Sequence, residues 1–166
     1  MPYTDRFIAT DNLIGHLNTF VGTIADPIIQ ANYAGFLSVS SITVYELAIK
    51  DIFNEFAIQK HKVFGTFSTS HFSKINGRIN ISDLKGVHIK LFGEKYLTNF
   101  KKKLEDKENT HVRASRISII TDYGNLIMCR HEYVHKGAPT LTINEVIDCY
   151  KNGKEVIHCL NDAMKR

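Results

Sequence analysis

The chain has 166 residues, of which 43% are apolar and 23% are charged, values typical of one soluble globular domain. Its net charge of +4 permits a nucleic-acid partner but falls short of a strongly basic domain. Because no apolar run reaches about 18 residues and the N-terminus lacks a signal-peptide layout, we expect a single cytoplasmic domain over residues 1–166 with no membrane segment.

Helical periodicity dominates the first third of the sequence. Apolar positions between residues 5 and 25 predict an amphipathic helix. Asp26 and Pro27 indicate an N-cap followed by proline at the first helical position, so a second short helix or a kinked continuation should begin there. Residues 36–62 are apolar around most of a helical circumference, which predicts a central, packed helix.

The middle of the chain is less regular. Residues 63–81 are rich in Gly, Ser, Thr and Asn and predict a connecting segment. Within it, Asn76 and Gly77 fit either a type I′ hairpin turn or a plain loop. A short helix capped by Ser82-Asp83 and ended by Gly93 is predicted next, and then a helix over residues 94–108.

Two further helices complete the predicted fold. One runs from Ala114 to a stop at Gly137, and Thr142 with Glu145 forms a capping box that opens the last helix. Short connections between long helices predict an all-α fold, an up-and-down helical bundle of about five to six helices. The three cysteines are odd in number and lack a Cys-x-x-Cys pair, so we expect reduced core thiols.

The segment before Gly137 contains an arginine, two histidines and a glutamate, and it has two incompatible interpretations. Read from Arg130, it is Arg-x4-His ending at His135, a pair suited to RNA phosphodiester cleavage. Read from His131, it is His-Glu-x-x-His, in which two histidines bind zinc and Glu132 activates water. On a helix the two histidines lie one turn apart, whereas Arg130 and His135 are rotated by about 140° from each other.

The surroundings of the motif favour the arginine-histidine interpretation. Lys136 and Gly137 follow the second histidine, where a zinc peptidase normally has an uncharged and then an apolar residue. A third zinc ligand would have to come from Glu145 or Glu155, which both have a simple surface interpretation. We therefore expect no metal and no other cofactor.

Arg130, His131, His135 and Gly137, near the end of the penultimate long helix, resemble the signature of the HEPN superfamily of small helical ribonucleases. Residues 44–53, which include Glu46, look like the second core helix of its RiboL-PSP-HEPN and defence-associated branches. The resemblance implies a metal-independent endoribonuclease, plausibly a toxin or anti-phage effector. It also implies a homodimer in which two motifs form a composite site, with an antitoxin or inhibitory protein as a further expected partner.

In this interpretation His135 acts as acid or base and Arg130 stabilises the phosphate charge. His131 and Glu46 are supporting candidates: His131 as a second proton-transfer group or a hydrogen-bond partner, and Glu46 as a group that orients Arg130 or His135. A boundary carboxylate paired with Lys50 is the simpler role for Glu46. A non-catalytic HEPN-like module that binds RNA, nucleotide or a partner protein is the alternative function, and a zinc metallopeptidase is the third. The other histidines are expected to be surface or boundary residues: His16, His61, His71, His88, His111 and His158.

Overall fold

The computed structural model describes residues 2–165, and every regular element in that range is helical. Two short 3-10 turns flank the first α-helix, and a π-helical turn and a 3-10 turn follow the fourth. In chain order the elements are the 3-10 turn Tyr3–Phe7, α1 (Ile8–Phe20), the 3-10 turn Val21–Thr23, α2 (Pro27–Lys60), α3 (Lys62–Phe72), α4 (Ile81–Asp83), the π-helical turn Leu84–His88, the 3-10 turn Ile89–Phe92, α5 (Glu94–Ser115), α6 (Ile119–Lys136) and α7 (Ile143–Met164).

Helix α2 is the central element of the bundle. Asp26 caps it by accepting a hydrogen bond of 2.8 Å from the Ile28 N–H, and Pro27 occupies the first turn, as predicted. The helix runs unbroken for 34 residues and packs against α3, α6 and α7. The predicted central helix is thus confirmed, and it also includes the residues from Pro27 onward.

Three buried tyrosine rings join the helices at the centre of the core. Tyr45 of α2 stacks on Tyr123 of α6, with ring centroids 5.7 Å apart, and on Tyr150 of α7 at 5.6 Å. The Tyr45 hydroxyl donates a hydrogen bond to the Tyr150 carbonyl oxygen. Gly153 makes room for this contact, since a Cβ there would lie 2.7 Å from the Tyr45 hydroxyl oxygen. The stack fixes α6, the helix that contains the motif, against α2 and α7.

The prediction of a connecting segment over residues 63–81 is wrong for its first part, which forms α3. The buried residues of this helix are Gly65, Ser68 and Phe72, so a single large apolar side chain, which stacks on Phe53 of α2, takes the place of an apolar stripe. Gly65 lies directly against Ile58, and the Ser68 hydroxyl donates a hydrogen bond of 2.8 Å to the Asn54 side chain. A contact of this kind leaves no apolar periodicity in the sequence, so the helix was missed.

Other helix boundaries differ from the predicted ones by a few residues, but the predicted bundle is present. Asn80, not Ser82-Asp83, caps α4, by accepting a hydrogen bond of 2.7 Å from the Asp83 N–H. Helix α5 extends to Ser115, and α6 begins after its cap at Ser118. The all-α, up-and-down bundle is confirmed, with seven α-helices between residues 2 and 165 against the five to six predicted. None of these helices is both long enough and apolar enough to cross a membrane.

Candidate functional site

The motif lies in the last turns of α6, as predicted. The buried residues of this helix all precede the motif: Ile119, Tyr123, Leu126 and Cys129. Beyond them the chain stays helical up to Gly137, which adopts a φ of 71° and donates its N–H to the Tyr133 carbonyl at 2.9 Å. The end of α6 therefore holds the motif on a rigid element while exposing part of it to solvent.

His131 and His135 lie together on the exposed side of α6. Their ring centroids are 4.4 Å apart, and both residues are exposed. Between them, Glu132 forms an ion pair of 2.6 Å with Lys136, and the hydrogen bond in this pair lowers the pKa of the Glu132 carboxyl. Glu132 is thus held by a lysine one turn further along α6, between two imidazoles that lie close together in solvent.

Arg130 lies on a different side of the helix, next to Glu46 and Gly77. A Cβ on Gly77 would lie 3.8 Å from Arg130 Nη1 and 3.7 Å from Glu46 Oε1, so the guanidinium and the carboxylate flank the same stretch of backbone. Within residues 2–165, Glu46 forms no ion pair with Arg130 or with Lys50. Instead Lys50 donates a hydrogen bond of 3.4 Å to the Ser73 carbonyl oxygen. The ion pair with Lys50, which was the simpler role predicted for Glu46, is therefore not formed.

The stretch beside Arg130 is a tight turn. Asn76 and Gly77 have φ values of 27° and 78°, and the Arg78 N–H donates to the Ile75 carbonyl at 2.9 Å. Positive φ at both central residues is the signature of a type I′ turn. The turn predicted at Asn76-Gly77 is therefore present, but helices, not strands, flank it on both sides.

A hydrogen bond from Tyr123 connects α6 to the end of this turn. The buried Tyr123 hydroxyl donates a hydrogen bond of 2.6 Å to the Ile79 carbonyl oxygen. Burial raises the pKa of Tyr123 far above its usual range, and the nearby charge of Glu46 adds to the effect. Tyr123 thus stays a neutral donor, and it fixes the turn against the helix that holds Arg130.

The structure therefore brings the predicted site residues together as two pairs. His131 lies beside His135 on the exposed face, whereas Arg130 and Glu46 both lie beside Gly77 without an ion pair between them, on a different side of α6. The arrangement can supply proton transfer on one side and a cationic donor for a phosphate on the other.

The zinc interpretation gains no support from the geometry. Across residues 2–165, no group of three or more His, Cys, Asp or Glu side chains lies close enough to hold a metal ion. The glutamate of His-Glu-x-x-His is engaged by Lys136. Neither Glu145, which accepts hydrogen bonds from Thr142, nor Glu155, which pairs with Lys107 at 2.9 Å, joins the two histidines.

Two other expectations from the sequence have definite outcomes. The three cysteines are free and buried, as predicted, and burial raises the pKa of Cys149 to about 12 and that of Cys159 to about 11. His88 was expected at the surface or the boundary but is only 6% exposed. Its side chain lines a groove beside the Asn76-Gly77 turn. Sequence reasoning missed this groove because its walls come from α3 and from the π-helical turn, neither of which has a clear pattern.

Comparison with known families assigns the helical chain to one family. The family model of RiboL-PSP-HEPN matches residues 4–166, nearly the whole chain. Comparisons with curated proteins and with solved structures found no match. HEPN domains are usually ribonucleases or nucleotide-binding modules, and they often dimerise and bind RNA. The chain belongs to the RiboL-PSP-HEPN family.

Proposed function

We propose that this protein is a metal-independent endoribonuclease in which Arg130 and His135 cleave RNA. The observation that carries the proposal is the position of both residues at the end of α6, with Arg130 beside the Gly77 turn and His135 exposed, in a chain of a family that often cleaves RNA. The biological role that fits such an activity is that of a toxin or an anti-phage effector acting on cytoplasmic RNA, with an antitoxin or another inhibitory protein as its partner.

The chemistry needs few protein groups because RNA contains its own nucleophile. An imidazole removes the proton of the 2′-OH, the 2′-oxygen attacks the adjacent phosphorus, and the bond from phosphorus to the 5′-oxygen breaks. The 5′-oxygen receives a proton, so the products are a 2′,3′-cyclic phosphate and a 5′-OH. Imidazole suits both proton transfers near neutral pH, because its neutral form accepts the 2′-OH proton and its protonated form donates a proton to the 5′-oxygen. His135 would perform one of these two steps.

Arg130 would bind the non-bridging phosphate oxygens. Its guanidinium offers a planar set of donors and keeps its charge at every working pH. Glu46 and Gly77 lie next to the guanidinium, and in this proposal they limit the positions it can adopt before the substrate binds. Such fixed donors stabilise the charge that develops in the transition state. Glu46 is then a positioning residue for Arg130.

The reaction uses an acid and a base, and we propose that a homodimer supplies both. His131 and His135 share the exposed side of α6 with two large apolar side chains, Met128, 59% exposed, and Val134, 50% exposed. Exposed apolar residues around polar catalytic groups are suited to burial by a second copy. Two such faces related by a two-fold axis would bring both pairs of histidines together. In this arrangement His131 either transfers the second proton or holds His135 by a hydrogen bond.

The test is cleavage of a structured RNA by the purified protein in excess EDTA. We expect cleavage to survive EDTA, to leave 2′,3′-cyclic ends, and to fall at least about 100-fold in both Arg130→Ala and His135→Ala. Glu132→Gln is the control, because it removes the carboxylate that a zinc mechanism would need and leaves Arg130 and His135 in place, so most of the cleavage should remain. Cleavage that vanishes with EDTA, or that both alanine variants retain, would refute the proposed mechanism.

Mixing the two inactive variants tests the composite site. A mixed dimer of Arg130→Ala and His135→Ala subunits contains one intact Arg130 and one intact His135. If the site is shared, the mixture should regain a measurable fraction of wild-type activity after subunit exchange, whereas either variant alone stays inactive. No recovery in a sample shown to contain mixed dimers would refute a site built from Arg130 of one chain and His135 of the other.

The second candidate function is a non-catalytic module that binds RNA or a nucleotide. The observation that favours it is the separation of Arg130 from His135 around α6, by about 140° on an ideal helix. In that case the protein would bind RNA without cleaving it, and His135→Ala would leave binding unchanged. The EDTA experiment with a binding measurement on the same samples separates the two functions.

A further inference from the structure

A groove of about 440 Å³ runs between α3, the Asn76-Gly77 turn and the π-helical turn. We propose that this groove binds an unpaired base and the adjoining phosphates of the RNA strand whose scissile phosphate lies at Arg130. The choice of ligand rests on the proposed function, since a strand bound at Arg130 must continue over the neighbouring surface. The residues that carry the argument are Phe67, His71, Lys74, Arg78, Val87 and His88.

The charge of the groove suits phosphates. Lys74 and Arg78 line it and are exposed, and no carboxylate is among its lining residues. Between residues 2 and 165 neither cation forms an ion pair with a carboxylate. A larger groove of about 840 Å³ elsewhere on the molecule differs in this respect, because Asp51 neutralises its Arg6 at 2.6 Å. Unpaired cations in a groove that no carboxylate lines suit the backbone of a single strand.

The apolar part of the groove suits a base. Phe67 is 59% exposed, and its ring stacks on that of His71 at a centroid distance of 5.8 Å and an angle of 17°. Val87, 52% exposed, lines the same groove from the π-helical turn. An exposed aromatic platform beside cations is the feature that proteins use to stack an unpaired base of any identity.

The groove and the Arg130 site share one turn. The carbonyl oxygen of Arg78 accepts a hydrogen bond of 2.8 Å from His88 Nε2, and the preceding residue, Gly77, lies against Arg130. Since burial lowers the pKa of His88, the ring is neutral, its one proton is on Nε2, and the buried Nδ1 has no partner among residues 2–165. His88 is also the last residue of a π-helical turn, a distortion frequent at functional sites. His88 thus fixes the turn from the groove side, and a strand can pass from one site to the other.

The experiment measures binding without cleavage. The probe is a fluorescent, single-stranded RNA oligonucleotide that is 2′-O-methylated throughout, which removes the nucleophile, and its binding is followed by anisotropy. We expect Phe67→Ala to weaken binding about 5- to 100-fold, the usual effect of losing one stack between a base and an aromatic ring. Val63→Ala is the matched control, since Val63 is 69% exposed on the same helix but lies outside the groove.

The cations are tested through the salt dependence of the same binding. The double variant Lys74→Ala, Arg78→Ala should lower the slope of log affinity against log salt by about 1.4, the value for two phosphate contacts on a single strand. The control Lys101→Ala, Lys102→Ala removes the same charge from the exposed side of α5 and should leave the slope unchanged. An equal fall in both double variants would indicate diffuse attraction and overturn the proposal.

The remaining outcomes separate this proposal from the ribonuclease. Equal binding by Phe67→Ala and Val63→Ala, or full competition by a mononucleotide at micromolar concentration, would overturn the RNA groove. Weakened binding in the groove variants of a protein that cleaves no RNA would support the groove and refute the ribonuclease. Normal cleavage and normal binding in the same variants would support the ribonuclease and refute the groove.

Discussion

The contact of Gly35 with Tyr133 offers a direct test of how α6 is held. Gly35 is buried on α2, and Tyr133 lies within the motif, between Arg130 and His135. A Cβ at position 35 would lie 2.1 Å from Tyr133 Cδ2 and 2.4 Å from Cγ. Because carbon atoms in contact need about 3.5 Å, Gly35→Ala forces the ring, or α6 with it, to move by more than about 1 Å.

The size of the effect follows from two opposing terms. Overpacking of this kind costs about 1–3 kcal/mol, and alanine gains about 1 kcal/mol over glycine within a helix. Gly15→Ala on α1 isolates the second term, because a Cβ there meets nothing within 4 Å. The difference between the two variants is therefore the overpacking alone, and it should lower the Tm of Gly35→Ala relative to Gly15→Ala by about 2–4 °C for each kcal/mol.

Thermal unfolding followed by circular dichroism measures this difference. In a Tyr133→Ala background the ring is gone, so adding Gly35→Ala should stabilise the protein as Gly15→Ala does. Cleavage of RNA should fall with the displacement of α6, by about 10- to 100-fold, since small misplacements of catalytic groups are costly. If Gly35→Ala alone raises the Tm as much as Gly15→Ala does, the close packing of α2 on the motif is refuted.

Three further predictions concern the turn and the buried histidines. Tyr123→Phe removes the donor to the Ile79 carbonyl and should destabilise the fold by about 1–3 kcal/mol in urea unfolding. Gly77→Ala places a side chain at a φ of 78° and should cost about 1–2 kcal/mol in the same assay. Burial lowers the pKa of both His88 and His158, so the unfolded chain binds more protons than the folded one below about pH 6.5, and the Tm should fall as the pH drops from 7.5 to 5.5.

Each of these predictions has a control in the same chain. Tyr33→Phe tests the loss of a hydroxyl for which no hydrogen bond is found within residues 2–165, and Gly86→Ala adds a Cβ where nothing lies within 4 Å. Tyr33→Phe should be close to neutral, and Gly86→Ala should be neutral or stabilise the fold by up to about 1 kcal/mol. Replacing His88 and His158 by glutamine should flatten the dependence of the Tm on pH, whereas glutamine at the exposed His16 should not. Unchanged pH dependence without these two histidines would show that other groups produce it.

The elements that could be predicted are those with a clear pattern of apolar or capping residues. Helix α2 shows apolar residues around most of its circumference, and α7 begins with a capping box at Thr142 and Glu145 that the structure contains. Helix α3 was not predictable in this way because its contact with α2 uses Gly65 and Ser68. Small residues permit a close approach of two helices, but in the sequence they look like a loop.

The site was predictable to the extent that it depends on a single helix. The spacing of His131 and His135 fixes them one turn apart whatever surrounds the helix, and the rings are 4.4 Å apart as that spacing requires. The surroundings of Arg130 include a turn more than 50 residues earlier in the chain, and no sequence pattern relates the two positions. Glu46 was predicted as a supporting residue, but its place beside Gly77 could be seen only in the structure.

The division of the motif around α6 has a chemical consequence. In the proposed ribonuclease, one phosphate would have to be reached by a guanidinium on the turn side and by an imidazole on the exposed side, and the body of the helix lies between these two directions. A strand that entered through the groove beside Phe67 would pass Arg130 first and reach the histidine face only at the end of α6. A second protomer on that face would shorten this path, because it would present its own histidines from the opposite side. The two proposals therefore complement each other: the groove would bring the phosphate to Arg130, and the dimer would bring the proton-transfer groups to the phosphate.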